Sequence, residues 1–552
     1  MTPEELSRIV ADALSALVDD GVLALGEAGP PRVRVERPKM REHGDYSTNV
    51  ALQLAKQVGR PPRELAALLA ERVAAAPGVA SVDVAGPGFL NVRVAAAAQG
   101  VVAGSVLAAG DAYGSSDALA GQRINLEFIS ANPTGPLHLG HTRWAALGDA
   151  IGRVLSAAGA DVTREFYIND RGAQMDKFGA SLEASAAGRP VPEDGYHGQY
   201  VHELASAIAS DHPEFAELPA DERVVAFREE GYRRQLAEQR TQLEEFRTVF
   251  DVWSSERALH DDDRVKHGIE RLREAGHLFE ADGALWMRTT DFGDDRDRVL
   301  VRTNGEYTYF ASDSAYYVDK RERGFSPCIY LLGADHHGYV NRLKVLAACA
   351  GDDPDRDIEV LIGQLVTILR GGEELRLSKR AGTILSLREV VDLTGVDALR
   401  YTLCRYPADS PLTVDIDVVT RTANDNPVYY VQYAHARLSS ILRNAADLGI
   451  AVGEHDPGRL SHEREGELLR ALADLPRVVQ QSATLREPHR VARYLEDTAA
   501  TFHKFYDDCR VLPMGEEEVT DVHLARLALV AATRMVLANG LRMLGVTAPE
   551  RM

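Results

Sequence analysis

The chain has 552 residues, and at about 150 residues per domain that length predicts three or four domains. Hydrophobic residues make up 45% and charged residues 26%, the balance of a soluble globular protein. The 62 basic residues against 83 acidic ones leave a net charge of −21, which excludes a generally basic nucleic-acid coat and leaves room for a local basic face only. Cys328, Cys349, Cys404 and Cys509 show no CxxC spacing, so no zinc ribbon or redox pair is expected, and their sparseness fits a reducing cytoplasm. Residues 1–23 are amphipathic and carry Glu4, Glu5, Asp12, Asp19 and Asp20, unlike a signal peptide. No uninterrupted apolar run reaches the roughly 20 residues of a membrane span, so no membrane partner is expected.

In chain order, residues 3–22 read as an amphipathic helix behind Thr2 as N-cap, and residues 63–75, with Leu65, Leu68 and Leu69, as a second. Gly86-Pro87-Gly88 is a turn, and Phe89 to Val94 alternates as a strand, giving a small α+β domain over 1–112. The Gly-, Ser- and Ala-rich stretch 110–121 reads as a linker. A strand over 123–128, a helix over 142–158 and a strand over 163–168 then form the βαβ signature of a doubly wound parallel sheet, in a domain spanning 121–396. The polar, mostly helical pattern of 172–292 reads as an insertion within it. Residues 328–333 and 358–369 supply two more apolar strands. From 397 to 552 the pattern is nearly all helical, with Leu524, Leu527, Ala531, Met535 and Ala538 at helical spacing.

Two segments carry chemistry. The first is Asn132 to His141, in which His138 and His141 flank Gly140 where a strand turns into a helix. Gly140 permits close approach of a ligand to the main chain, and a helix N-terminus with paired imidazoles suits phosphate. Taken alone, the same spacing also fits a helix cap or a metal pair. The chain contains no Gly-Lys dipeptide and hence no Walker loop. The second segment is Leu375 to Gly382, a loop with Ser378 and Lys379. A loop lysine is a mobile point charge suited to nucleotide phosphates; a solvated basic loop is the plainer reading.

In this order the two segments resemble the HIGH and KMSKS signatures of class I aminoacyl-tRNA synthetases. The stretches 127–136, 167–170, 333–339, 426–437 and 545–552 narrow the resemblance to the arginyl-tRNA synthetases, from about His43 to the last residue. The resemblance implies a multidomain α/β protein. Its parts are an N-terminal α+β domain touching tRNA, a Rossmann-like catalytic domain with a helical insertion, and a C-terminal all-α anticodon-binding bundle. It implies ATP-dependent activation of L-arginine to an adenylate and transfer of the arginyl group to the terminal adenosine of tRNA(Arg). ATP would act with Mg²⁺, and no zinc is expected.

Carried over position by position, the resemblance assigns catalysis to His138, His141 and Lys379, and ATP binding to these three with Gly140, Gln364 and Ser378. Glu127, Asn132, His138, Tyr309, Asp313 and Asp335 are assigned to arginine. A guanidinium has five donors and wants a fork of acceptors, so carboxylates and tyrosines fit. Contacts to tRNA fall on Phe89 and Asn91 in the first domain, and on Tyr429, Tyr433, Arg437, Tyr506 and Met552 in the last. Packing into a helical core is the plainer reading for most of the tyrosines. Asp397-Ala398-Leu399-Arg400 matches the sequence after which the family's anticodon domain is named. The chain departs from the family at Arg376, which replaces the first lysine of the loop signature, and in reading His-Leu-Gly-His.

The rivals are a cysteinyl-type synthetase, a non-catalytic tRNA-binding relative and an unrelated nucleotide-binding protein. The first would place a zinc-binding cysteine in the amino-acid pocket, the second would lose the signature histidines or the lysine, and the third leaves the last third unexplained. A monomer is expected, and tRNA is expected to be needed for adenylate formation.

Overall fold

The computed structural model describes residues 1–25, 33–38, 40, 43–375 and 385–552. The first helix, α1 (Pro3–Asp19), begins in a capping box between Thr2 and Glu5. Next come β1 (Tyr46–Thr48), α2 (Val50–Val58), α3 (Pro62–Ala74), β2 (Val79–Ala85) and β3 (Phe89–Val94). The three strands form an antiparallel sheet with β3 in the middle. Leu6, Val10, Leu14 and Leu17 recur every three or four residues on α1 and pack with Leu65, Leu69 and Val73 of α3 in a separate core. That core closes near Val94. The next helix, α4 (Ala96–Ala109), sends Val102, Ala103 and Val106 into the core of the C-terminal bundle instead. The stretch read as a linker is fixed there as well: Asn539 donates to the Gly110 carbonyl at 3.0 Å and Tyr113 to the Leu472 carbonyl at 3.0 Å.

The central body is built on β4 (Arg123–Glu127), α5 (Leu139–Ala157) and β5 (Asp161–Ile168). Helices α6 (Ala173–Ala186), α7 (Gln199–Asp211) and α8 (Ala220–Glu245) follow, with their own small core around Phe178, Leu182 and Ile208. The expected helical insertion ends there. β6 (Val252–Ser255) returns to the main sheet beside β5. Helices α9 (Glu256–Asp261) and α10 (Arg264–Glu274) then precede an antiparallel sheet of β7 (Leu278–Ala281), β8 (Ala284–Met287) and β9 (Arg298–Val301). Helix α11 (Tyr309–Glu322), β10 (Cys328–Gly333), α12 (Val340–Cys349) and β11 (Ile358–Gly363) complete the body. The main sheet runs β11-β10-β4-β5-β6, all parallel. The chain reverses its direction of winding at β4, where a ligand crevice opens beyond the strand ends. Ile124 and Leu126 bury one face of β4 and Asn125 and Glu127 the other, so the second face carries polar groups that need partners inside.

Beyond the main sheet, β12 (Val366–Arg370), β13 (Glu373–Glu374), α13 (Leu387–Thr394), α14 (Val396–Cys404) and β14 (Leu412–Asp415) form a bridging layer. β14 pairs in parallel with β12, so the chain just after residue 397 stays attached to the central body. Short α15 (Ile416–Val419) leads to the bundle of α16 (Pro427–Asp447), α17 (Glu463–Ala473), α18 (Leu475–Leu485), α19 (His489–Asp508) and α20 (Asp521–Met543). Helix α20 is long and apolar enough to cross a membrane, but 72% of its most apolar window is buried in this bundle, as a core helix requires.

Candidate active site

The signature histidines cap the helix they open. His138, with φ −115° and ψ 174°, is the N-cap of α5. Its Nδ1 accepts from the Gly140 N–H at 3.1 Å, and His141 Nδ1 accepts from the His138 N–H at 3.3 Å. The rings stack with centroids 3.8 Å apart. A Cβ on Gly140 would stand 2.9 Å from His138 Cε1, so glycine leaves the ring its place. With each Nδ1 accepting, the roles assign the proton of each ring to Nε2. Burial, then the neighbouring His138, pushes His141 down to about 3, so it is neutral at pH 7. The cap and phosphate readings of the motif are therefore compatible. Nδ1 satisfies the helix, and Nε2–H is a donor at its positive end.

Ser378 and Lys379, with Arg376, lie outside the described residues. The chain on either side is anchored. The Leu375 N–H donates to the Ile368 carbonyl at 2.9 Å. On the C-terminal side, Ser386 pairs with His138 in an antiparallel bridge flanked by Leu139 N–H to Leu385 O at 3.2 Å and Leu387 N–H to Leu137 O at 2.8 Å. Leu385 to Leu387 therefore lie beside the first signature histidine. Gln364, at the end of β11, lies on the same side, its carbonyl accepting from Arg143 of α5 at 2.7 Å.

A second cluster, of carboxylates, surrounds Tyr167 at the ends of β4 and β5: Glu256, Asp313, Glu127 and Asp170 all act on its hydroxyl electrostatically. Asp313 sits on α11 and accepts from the Tyr339 hydroxyl. Burial pushes its carboxyl up to about 6, against the Tyr339 hydrogen bond, which lowers it. Glu256 opens α9; burial, then Asp313, raises it to about 7. A pocket that raises its own carboxylates in this way is prepared for a cation. Tyr309 begins α11 one turn before Asp313, on the same face, and is 70% exposed. Asn132 donates to Gln174 at 2.6 Å, and its carbonyl takes the amide of Gln239 at 3.0 Å.

Two expected arginine residues stand differently. Asp335 lies in the turn after β10, with its side chain 82% exposed and paired with His336 at 3.5 Å. Glu127 is inside, but Ser130 donates to one oxygen at 3.0 Å and the fully buried Lys320 to the other. Ile129 and Ser130 both have left-handed backbone, φ 69° and 46°, a strained turn that this anchor holds. The sequence reading missed Glu256 and Lys320. Each looks ordinary in sequence, one as an acidic first-turn residue behind the Ser255 cap and the other as a basic last-turn residue.

The positions expected to meet tRNA fall into two surfaces. Phe89 and Asn91 share a face of β3 and line a cavity of about 530 Å³ with Arg34, Arg37 and Gln53. On α16, Tyr429 and Tyr433 stack with centroids 5.9 Å apart, and Arg437 lies 3.9 Å over the ring of Tyr506 on α19. These four are partly exposed rather than core. Met552 is 58% exposed at the chain end.

Comparison with known proteins agrees with this layout. Residues 4–94 match the family described as arginyl tRNA synthetase N terminal domain, 103–402 the class I (R) tRNA synthetase catalytic domain, and 431–552 the DALR anticodon binding domain. The chain is 54% identical over 553 residues to an "Arginine--tRNA ligase" of Paenarthrobacter aurescens and 55% identical over 554 residues to one of Frankia alni, in each case across 100% of both chains. A putative arginyl-tRNA synthetase structure from Campylobacter jejuni matches with TM-score 0.75 and 29% identity over 83% of this chain and all of that one. The Thermus thermophilus arginyl-tRNA synthetase shares the fold, with TM-score 0.75 at 24% identity over the whole of both chains. The chain belongs to the arginyl-tRNA synthetase family of class I.

Proposed function

We infer that this site performs the arginine--tRNA ligase reaction, with the roles divided between the two clusters. The arginine carboxylate oxygen attacks the α-phosphorus of ATP as the bond to pyrophosphate breaks. The terminal adenosine hydroxyl of tRNA(Arg) then attacks the arginyl carbonyl carbon and AMP leaves. ATP enters as its Mg²⁺ complex, the metal adding positive charge to the phosphates. The Nε2–H groups of His138 and His141 donate to phosphate oxygens as charge develops at the α-phosphate. Gly140 lets the nucleotide approach the helix end, Gln364 borders it, Ser378 contributes a hydroxyl to ATP and Lys379 supplies positive charge to the departing pyrophosphate. Asp313 and Glu256 take the guanidinium, with Tyr309 covering it and Asn132 near the α-substituents. Glu127 acts from behind, fixing the turn that presents Asn132. Phe89 and Asn91 offer a stacking ring and an amide to an unpaired base, and the Tyr429, Tyr433, Arg437 and Tyr506 surface offers the same to the anticodon. The substrates place this work in the cytoplasm, and one chain suffices for it.

The observation that carries the reading is the carboxylate cluster of Asp313 and Glu256 around Tyr167, at the ends of the parallel strands whose crossover helix is capped by His138 and His141. Steady-state kinetics tests it. D313N and E256Q are expected to raise the KM for arginine about 30-fold or more, since a buried charge partner is lost, and to leave the KM for ATP unchanged. Equal changes in both constants would contradict the division of roles.

A further inference from the structure

The Asp397-Ala398-Leu399-Arg400 stretch is explained neither by the phosphate cap nor by the carboxylate cluster. Its two charged residues do something else. Arg400 is wholly buried on α14. Its guanidinium donates to Asp149 of α5, to the Phe246 carbonyl at 2.7 Å, to the Thr248 hydroxyl at 3.2 Å and to the Leu544 carbonyl at 3.1 Å. A Cβ on Gly545 would stand 2.2 Å from that guanidinium, so the chain end is shaped around it. Asp149 also takes Arg153 at 2.6 Å and stands 3.9 Å from Arg164. Thr248 returns to α5 through the Ala145 carbonyl at 2.9 Å.

Asp397, one turn earlier on α14, ties the other side. It accepts from Arg247 of the central body at 2.5 Å, from Gln432 of α16 at 2.8 Å, and from the Thr547 main chain at 3.1 Å. The terminal segment is then bound along α16. Gln432 donates to the Thr547 carbonyl at 2.9 Å, His435 bonds the Pro549 carbonyl at 2.8 Å, and Arg443 donates to the Glu550 carbonyl at 3.0 Å. The same helix carries Tyr429, Tyr433 and Arg437. A continuous polar strut therefore joins α16 to α5, whose first turn holds the signature histidines. Asp149 lies eight residues beyond His141, about 12 Å along the helix.

A wholly buried ion pair adds little net stability over apolar residues of the same size; its attested use is to fix one register among several. We propose that Arg400 and Asp149 are positioning residues that set α5, and with it His138 and His141, against the anticodon helix α16 through Asp397 and the chain end. This rests on the reading that α16 meets the anticodon. The strut then makes the placement of the phosphate donors depend on how α16 is held.

The test is arginylation by the full chain of cognate tRNA(Arg) transcript and of the same transcript with its anticodon bases replaced. For the wild type, replacing the anticodon is expected to lower kcat as well as to raise the KM for tRNA. R400K keeps the charge and loses the planar fork; D149N loses the charge at the other end. Both are expected to lower kcat on the cognate transcript about tenfold, with KM for ATP and arginine within about twofold of wild type. In both, the ratio of kcat between the two transcripts falls toward one. T547V, at the exposed end of the strut, gives a smaller fall in the same ratio and serves if a buried variant does not fold. A ratio unchanged from wild type in D149N and T547V overturns the proposal even if kcat falls, because a merely structural loss affects both transcripts alike. A wild-type kcat ratio of one also overturns it. A wild type with no arginine-dependent activity would instead overturn the functional reading beneath.

Discussion

Lys320 and Glu127 are paired inside the protein, with 0% and 11% of their side chains exposed. The rings of Tyr330 and Tyr316 lie 4.0 and 4.4 Å from the ammonium, completing its enclosure. The pairing fixes Glu127 in place, with Lys320 on one oxygen and Ser130 on the other. K320M is expected to destabilise the protein by about 3–5 kcal/mol, because it strands a buried carboxylate. E127Q/K320M, which removes both charges, recovers most of that loss. Chemical denaturation of the two variants checks the difference.

Arginine binding is expected to strengthen as pH rises through 6 to 7. Asp313 and Glu256 are raised to about 6 and about 7, chiefly by burial, so below that window they hold protons that a guanidinium must displace. The sign for stability is the opposite. The folded state keeps these protons where the unfolded chain has lost them, so the free protein loses stability as pH rises from the ordinary values of 3.8 and 4.5 to the raised ones. Calorimetric titration with arginine in buffers of different ionisation enthalpy should show proton release at pH 6 that D313N diminishes.

The two nitrogens of His141 have separable jobs. In H141N the amide oxygen can replace Nδ1 as the acceptor for the His138 N–H, but the Nε2–H donor is gone. The expected result is a fall in kcat of about 100-fold, as for loss of one preorganised donor, with thermal stability near wild type. H141A loses the cap as well and costs a further 0.5–2 kcal/mol or so of stability. Because burial holds this ring at about 3, its charge does not shape the kcat profile between pH 6 and 8.

Much of this was readable in sequence, for physical reasons. The strand over Cys328–Gly333 is bounded as its apolar run is, and the cap of α1 follows from Thr2 and Glu5. The two histidines stand three residues apart, within one helical turn, so their geometry is local. β6 was hidden because Val252–Ser255 is four residues long and only half-buried at a sheet edge. Residues 96–109 read in sequence as part of the first domain, because an Ala-rich stretch carries no sign of which core it joins; as α4 they join the core of the bundle. Glu256 and Lys320 gain their meaning from contacts with residues 57 and 193 positions away, Asp313 and Glu127, which no local pattern records.

The first-domain cavity gives a prediction confined to tRNA. F89A removes the exposed ring at its edge and is expected to raise the KM for tRNA by the about 1–3 kcal/mol that stacking on one base contributes, with kcat unchanged. N91A, at a buried position in the same wall, should act in the same direction. Filter binding of tRNA with both variants measures this directly.

The central claim is that the carboxylate cluster selects arginine for reaction at the histidine cap. Exchange of pyrophosphate into ATP, measured with each of the twenty amino acids in turn, with and without tRNA(Arg), tests it most directly. The account predicts exchange with arginine alone, abolished in D313N/E256Q at the same arginine concentration. Exchange supported equally by lysine or by any other amino acid would contradict it.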